Sequence, residues 1–106
     1  MPKFLLQVNY TLDGVKGVLS KGGSARRAAA QAAAESLGGT LESMYFAFGS
    51  NDAIAIAELP SNAAAATLAL TVSGSGAATV TTVVLLTPAE IDTATETDVQ
   101  YTPPGR

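Results

Sequence analysis

Short clusters of glycine, serine, proline and asparagine cut this chain into segments of single-strand or single-helix length. The cuts fall at Gly22-Gly23-Ser24, Gly38-Gly39, Gly49-Ser50-Asn51-Asp52, Pro60-Ser61-Asn62 and Ser73-Gly74-Ser75-Gly76. Between them the apolar period switches between two and about 3.6, so each piece declares itself strand or helix and the order of pieces fixes the architecture. From Phe4 to Tyr10, Phe4, Leu6, Val8 and Tyr10 alternate with Leu5, Gln7 and Asn9, which predicts a first strand. Thr11 to Lys21 carries Leu12, Val15, Val18 and Leu19 at helical spacing, weakened by two glycines, and predicts a short irregular helix. Ser24 is then expected as N-cap of an alanine-rich helix from Ala25 to Leu37, stopped by Gly38-Gly39.

Thr40 to Phe48 predicts a second strand with Leu41, Ser43, Tyr45 and Ala47 on one face and Glu42, Met44, Phe46 and Phe48 on the other. The turn at residues 49–52 joins it to a third strand, Ala53 to Leu59, as an antiparallel hairpin. Ser61 or Asn62 is placed to cap a second alanine-rich helix running to about Val72, and a fourth strand follows from about Ala77 to Leu86. Thr87-Pro88 opens a last short helix, and from Thr93 to Arg106 the chain reads as a polar, extended tail. The expected organisation is thus one domain over residues 1–92 and a tail over 93–106. The order β-α-β-β-α-β, two split β-α-β units, predicts an α+β ferredoxin-like fold with a four-stranded antiparallel sheet and helices on one face.

The third strand sets Ala53, Ala55 and Ala57 against Ile54 and Ile56, so both of its faces are apolar; the fourth does the same with Val83 and Leu85 against Val84 and Leu86. A sheet face left to water alternates with polar residues, so the side without helices is expected to meet a second subunit.

The 106 residues include no cysteine and no histidine, which excludes disulfides, thiolate nucleophiles, imidazole bases and the commonest transition-metal ligands. A metal site would need carboxylates alone, and no calcium-loop pattern is present. No organic cofactor is called for by any motif. Six Lys and Arg against nine Asp and Glu give a net charge of -3, which argues against broad binding to nucleic acid. No leader pattern and no apolar run near the roughly 20 residues of a membrane helix is visible, so a cytoplasmic location is expected.

The segments Lys21-Gly22-Gly23-Ser24-Ala25-Arg26-Arg27, Glu35-Ser36-Leu37-Gly38-Gly39, Tyr45-Phe46-Ala47-Phe48-Gly49 ahead of Asn51-Asp52, and Leu85-Leu86-Thr87-Pro88-Ala89-Glu90 together resemble the GYD domain family. The resemblance covers about Pro2 to Asp92. Of the name-giving Gly-Tyr-Asp, Gly49 and Asp52 match and the tyrosine is absent. The resemblance implies a small bacterial protein with a ferredoxin-like fold akin to the dimeric α/β barrels, and it implies no established reaction.

Arg26 and Arg27 fall in the first turn of the expected long helix, where the positive end of the dipole disfavours cations. With Lys21 and the free backbone N–H groups of Gly22, Gly23 and Ser24 they form a candidate cradle for a small anion; the competing reading pairs one arginine with a carboxylate and leaves the other solvated. Asp52 is either a general base or a turn residue bonded to its own backbone. Glu58, on the face of Ile54 and Ile56, needs Lys3, Arg26 or Arg27 as partner or must reach water. Tyr10, Tyr45, Phe46 and Phe48 either line a small apolar pocket or pack in the core. The leading functional expectation is a non-enzymatic homo-oligomer that binds a small or anionic ligand. The alternative is a small enzyme of the dimeric α/β barrel type acting on a hydrophobic or enolic substrate, with Asp52, Glu58 or Tyr10 carrying protons. A third reading is a regulatory module that binds an anionic metabolite at Lys21 to Arg27.

Overall fold

The computed structural model describes residues 1–105; Arg106, the end of the expected tail, lies outside the described residues. The elements run β1 (Lys3–Tyr10), α1 (Leu12–Ser36), β2 (Thr40–Phe46), β3 (Ala53–Glu58), α2 (Asn62–Gly74), β4 (Ala78–Leu85) and α3 (Pro88–Thr95). The four strands form one antiparallel sheet in the order β2-β3-β1-β4, the α+β ferredoxin-like arrangement.

The second and third helices start where their cap residues say they should. Ser61 accepts from the Ala64 N–H, and Thr87 and Glu90 form a reciprocal capping box with Pro88 in the first turn. The long helix begins earlier than the sequence suggests: Thr11 is its N-cap and accepts from the Gly14 N–H, and the helix runs to Ser36 with one interruption. That interruption is at Gly22 (φ 82, ψ 173), a left-handed conformation natural only to glycine, so Gly22 starts the second segment and Ser24 lies inside it rather than capping it.

The core lies between the sheet and the first two helices. Phe4, Leu6, Ala55 and Ala57 of the sheet meet Ala34 of α1, Ala65 of α2 and Leu59, which follows β3. Gly39 packs so tightly there that a Cβ would collide with the Glu58 carbonyl.

The faces of β2 differ from simple alternation. Leu41 pairs with Ala57 and Ser43 with Ile56, so a bulge at Glu42 and Ser43 sets two residues opposite one. The extra residue reverses the parity, and Leu41 and Met44 both pack against the core although strict alternation separates them. Beyond the bulge Tyr45 pairs with Ile54 on the helix-free face and Phe46 pairs with Ala53 on the helix side. The strand ends at Phe46, two residues short of the expected limit.

On the helix-free face Leu5 of β1 stands between Ile56 and Val83, with Ile54 and Leu85 nearby. Lys3 closes one end of this stripe, 2.8 Å from Glu42 and 3.8 Å from Glu58. Beside Leu86, α3 begins; it continues to Thr95, past the Thr93 at which the extended tail was expected, and buries no residue. The radius of gyration is 16.9 Å, against about 13 Å for a compact chain of this length, because this last stretch projects from the body.

Candidate functional site

Three elements converge at the end of the sheet where β1 finishes and the β2-β3 hairpin turns. The first segment of α1 contributes Val15, Val18 and Leu19, all on the side that its helical period makes apolar. The hairpin contributes Phe46, Ala47 and Phe48. Between them lies an open cavity of about 370 Å³, with Tyr10 and Asp52 supplying its polar edge. Gly23, immediately after the break in α1, brings the backbone against the Phe46 ring: a Cβ there would stand 3.1 Å from the ring edge. A side chain at 23 would therefore require the Phe46 ring to give by a few tenths of an ångström.

The reading of Asp52 as a turn residue bonded to its own backbone is corrected by its hydrogen bonds. Its carboxylate Oδ2 accepts from the Tyr10 backbone N–H at 2.8 Å rather than from its own turn. The reason is a mismatch in strand length. Pairing of β1 with β3 ends at Val8 and Ala53, so the N–H of Tyr10 points past the end of β3 and would be orphaned without the carboxylate. The Asp52 backbone completes the corner by donating to the Val8 carbonyl at 2.9 Å and accepting from the Ala47 N–H at 2.9 Å. The side chain thus fixes the cavity edge as a ready-made acceptor held in one position.

Of the four aromatic candidates, Tyr10, Phe46 and Phe48 line the cavity, while Tyr45 lies on the helix-free face and is 73% exposed. Glu58 is also on that face, paired with Lys3, and neither Arg26 nor Arg27 is its partner. Lys3 is held protonated above its ordinary value of 10.5, chiefly by its hydrogen bond to Glu42. The proton-carrier candidates therefore separate: Tyr10 and Asp52 share the cavity, and Glu58 is on the opposite face of the sheet.

The expected anion cradle is divided by the break at Gly22. Gly23 faces the cavity beneath Phe46, whereas Lys21 and Arg26 border a different space, a groove of about 640 Å³ between α1 and α2 that also has Asp13 on its rim. Lys21, Ser24, Arg26 and Arg27 are exposed. Among the described residues no carboxylate lies within 4.0 Å of the Lys21, Arg26 or Arg27 head groups, so the expected arginine–carboxylate pair is not formed within the chain. Val15, Val18 and Leu19 are the cavity residues that sequence reasoning missed; their helical spacing was visible, but it reads equally as an ordinary core face.

Among the described residues no three Asp or Glu side chains come together in a manner that would hold a metal ion, and no helix is long and apolar enough to cross a membrane. No curated protein and no solved structure matches the chain. A family model described as GYD domain matches residues 4–95, which takes in every element from β1 through α3 and the whole of the cavity. The chain belongs to the GYD domain family.

Proposed function

We propose that this chain is a non-enzymatic binding protein that holds a small, mostly apolar molecule in the cavity between the first segment of α1 and the β2-β3 hairpin, and that it works as a homo-oligomer. The observation that carries the reading is the composition of that cavity: about 370 Å³ walled by Val15, Val18, Leu19, Phe46 and Phe48, with a single fixed carboxylate at its edge. Such a space suits a ligand with one hydrogen-bond donor on an apolar body. The second part rests on the helix-free face, where Leu5, Ile54, Ile56, Val83 and Leu85 form an apolar stripe that packing against another copy would cover.

A direct test uses a naphthalene sulfonate dye as probe. Saturable binding at one site per chain, abolished by filling the cavity with Val18→Trp and retained by Ile56→Lys on the opposite face, supports the reading; binding insensitive to Val18→Trp refutes it. The enzyme reading is favoured by one observation only, the presence of Tyr10 and Asp52 at the same cavity. Purified protein that turns over an enolic substrate and loses that activity in Asp52→Asn would replace the binding reading with the catalytic one.

A further inference from the structure

Every residue from Leu86 to Thr102 is exposed, including Ile91, Val99 and Tyr101, yet α3 within this stretch has a complete capping box and a proline start. An isolated eight-residue helix is marginal in water, and most helical stability comes from tertiary packing of a face. This arm is also the most acidic part of the chain: Glu90, Asp92, Glu96 and Asp98 lie within nine residues, with no Lys or Arg after Arg27 until Arg106. Glu90 is engaged in the cap; Asp92, Glu96 and Asp98 are free of cations within 4.0 Å among the described residues.

The complementary charge is elsewhere. Lys16, Lys21, Arg26 and Arg27 are the chain's only cations between Lys3 and Arg106, all lie on α1, and among the described residues none has a carboxylate within 4.0 Å. Lys21 and Arg26 flank the groove of about 640 Å³ between α1 and α2, which carries two cations against the single carboxylate of Asp13 and whose lining includes the small Gly17, Ala25 and Ala29. The arm leaves the sheet at the end away from its own groove. The groove is at the end of the sheet where Thr11 donates to the Ala77 carbonyl, and the arm leaves at the other end, where Leu85 pairs with Lys3; the eight residues of β4 separate the two by about 25 Å.

We propose that residues 86–102 form a docking arm that seats in the groove between α1 and α2 of a second copy of this chain, with Asp92, Glu96 and Asp98 against Lys21 and Arg26 and near the exposed Arg27, and Ile91 and Val99 toward the small-residue lining. This contact is separate from the helix-free sheet face and does not depend on a ligand in the cavity.

Because the chain has no cysteine, single-cysteine variants report the contact directly. Full-length Asp98→Cys mixed with full-length Lys21→Cys under mild oxidation should give the mixed disulfide in at least fivefold excess over Asp98→Cys mixed with Glu35→Cys, whose site is on α1 at the far end. High salt should suppress the excess. Reversing the arm (Asp92→Lys, Glu96→Lys, Asp98→Lys) should raise the dissociation constant between copies at least tenfold, and mixing it with the reciprocal Lys21→Glu, Arg26→Glu, Arg27→Glu chain should restore association. Equal crosslinking at Lys21→Cys and Glu35→Cys, or association unchanged by both reversals, overturns the proposal. Loss on reversing α1 alone, with no effect of reversing the arm, overturns it too and points to a small anion at the cations. Ile56→Lys leaves the mixed disulfide intact in this scheme, so failure of the sheet-face reading and failure of the arm are told apart.

Discussion

The two faces of the sheet invert the usual distribution of bulk. Under the helices β3 presents Ala53, Ala55 and Ala57, each buried, while the face without helices receives the larger Ile54 and Ile56, half-exposed. Alanines allow α1 and α2 to lie close to the strands through Ala34 and Ala65, so the covered face is a thin seam in which few large side chains do most of the work. Phe4 and Leu59 are the only large residues fully buried among those described. On the open face Leu5, Ile54, Ile56 and Leu85 are only partly buried within the chain, and Val83 is exposed. The contrast teaches that the large side chains and the closest helix packing lie on opposite sides of the same strands.

The comparison can be broken most severely from the covered side. Leu59→Ala is expected to cost about 2–5 kcal/mol, seen as a lower urea midpoint, because Leu59 is fully buried in the core cluster and its loss leaves a cavity there. Gly39→Ala should cost about 1–3 kcal/mol by the same measurement, since the new methyl meets the Glu58 carbonyl and the Leu59 side chain. On the open face the equivalent change, Ile56→Ala, should cost only about 1 kcal/mol at low protein concentration, with a larger loss as concentration rises if the face is shared with another copy. A buried hydroxyl sharpens the contrast in the other direction. Thr82 Oγ1 has no hydrogen-bond partner among the described residues, so Thr82→Val should raise stability by about 1 kcal/mol. The smallest effect belongs to the exposed pair at the end of the stripe. Lys3 has its protonation favoured in the folded chain, so whatever the pair contributes is fully present below pH 10.5 and fades as pH rises through the higher folded value; Lys3→Gln should remove that alkaline slope together with the same small contribution at neutral pH, read in a urea titration.

The sheet topology was legible because its boundaries are written in residues with backbone consequences: Ser61 and Thr87 as caps, Gly38-Gly39 as a stop, the turn at 49–52. The bulge in β2 was not, since Glu42 and Ser43 are ordinary strand-surface residues and nothing in their chemistry marks an unpaired position. The choice between Gly22 and Ser24 as the start of the second helical segment depends on which of two adjacent glycines takes the left-handed conformation, a matter of tertiary fit. The cavity is assembled from positions 10, 15, 18, 19, 23, 46–48 and 52, and only Tyr10, Phe46, Phe48 and Asp52 attract notice as residue types. The bond from Tyr10 to Asp52 required knowing that β1 outruns β3 at one end, which follows from register and not from composition.

The break at Gly22 divides α1 into two rods of different anchorage. The first, from Leu12 to Lys21, buries only Gly14, while the second carries Ala34 into the core. Val15, Val18 and Leu19 ride on the loosely anchored rod, and Phe46 and Phe48 stand on the hairpin opposite. The first of those walls is consequently joined to the rest of α1 through the torsions of a single glycine, whose positive φ would be strained by any side chain placed at position 22.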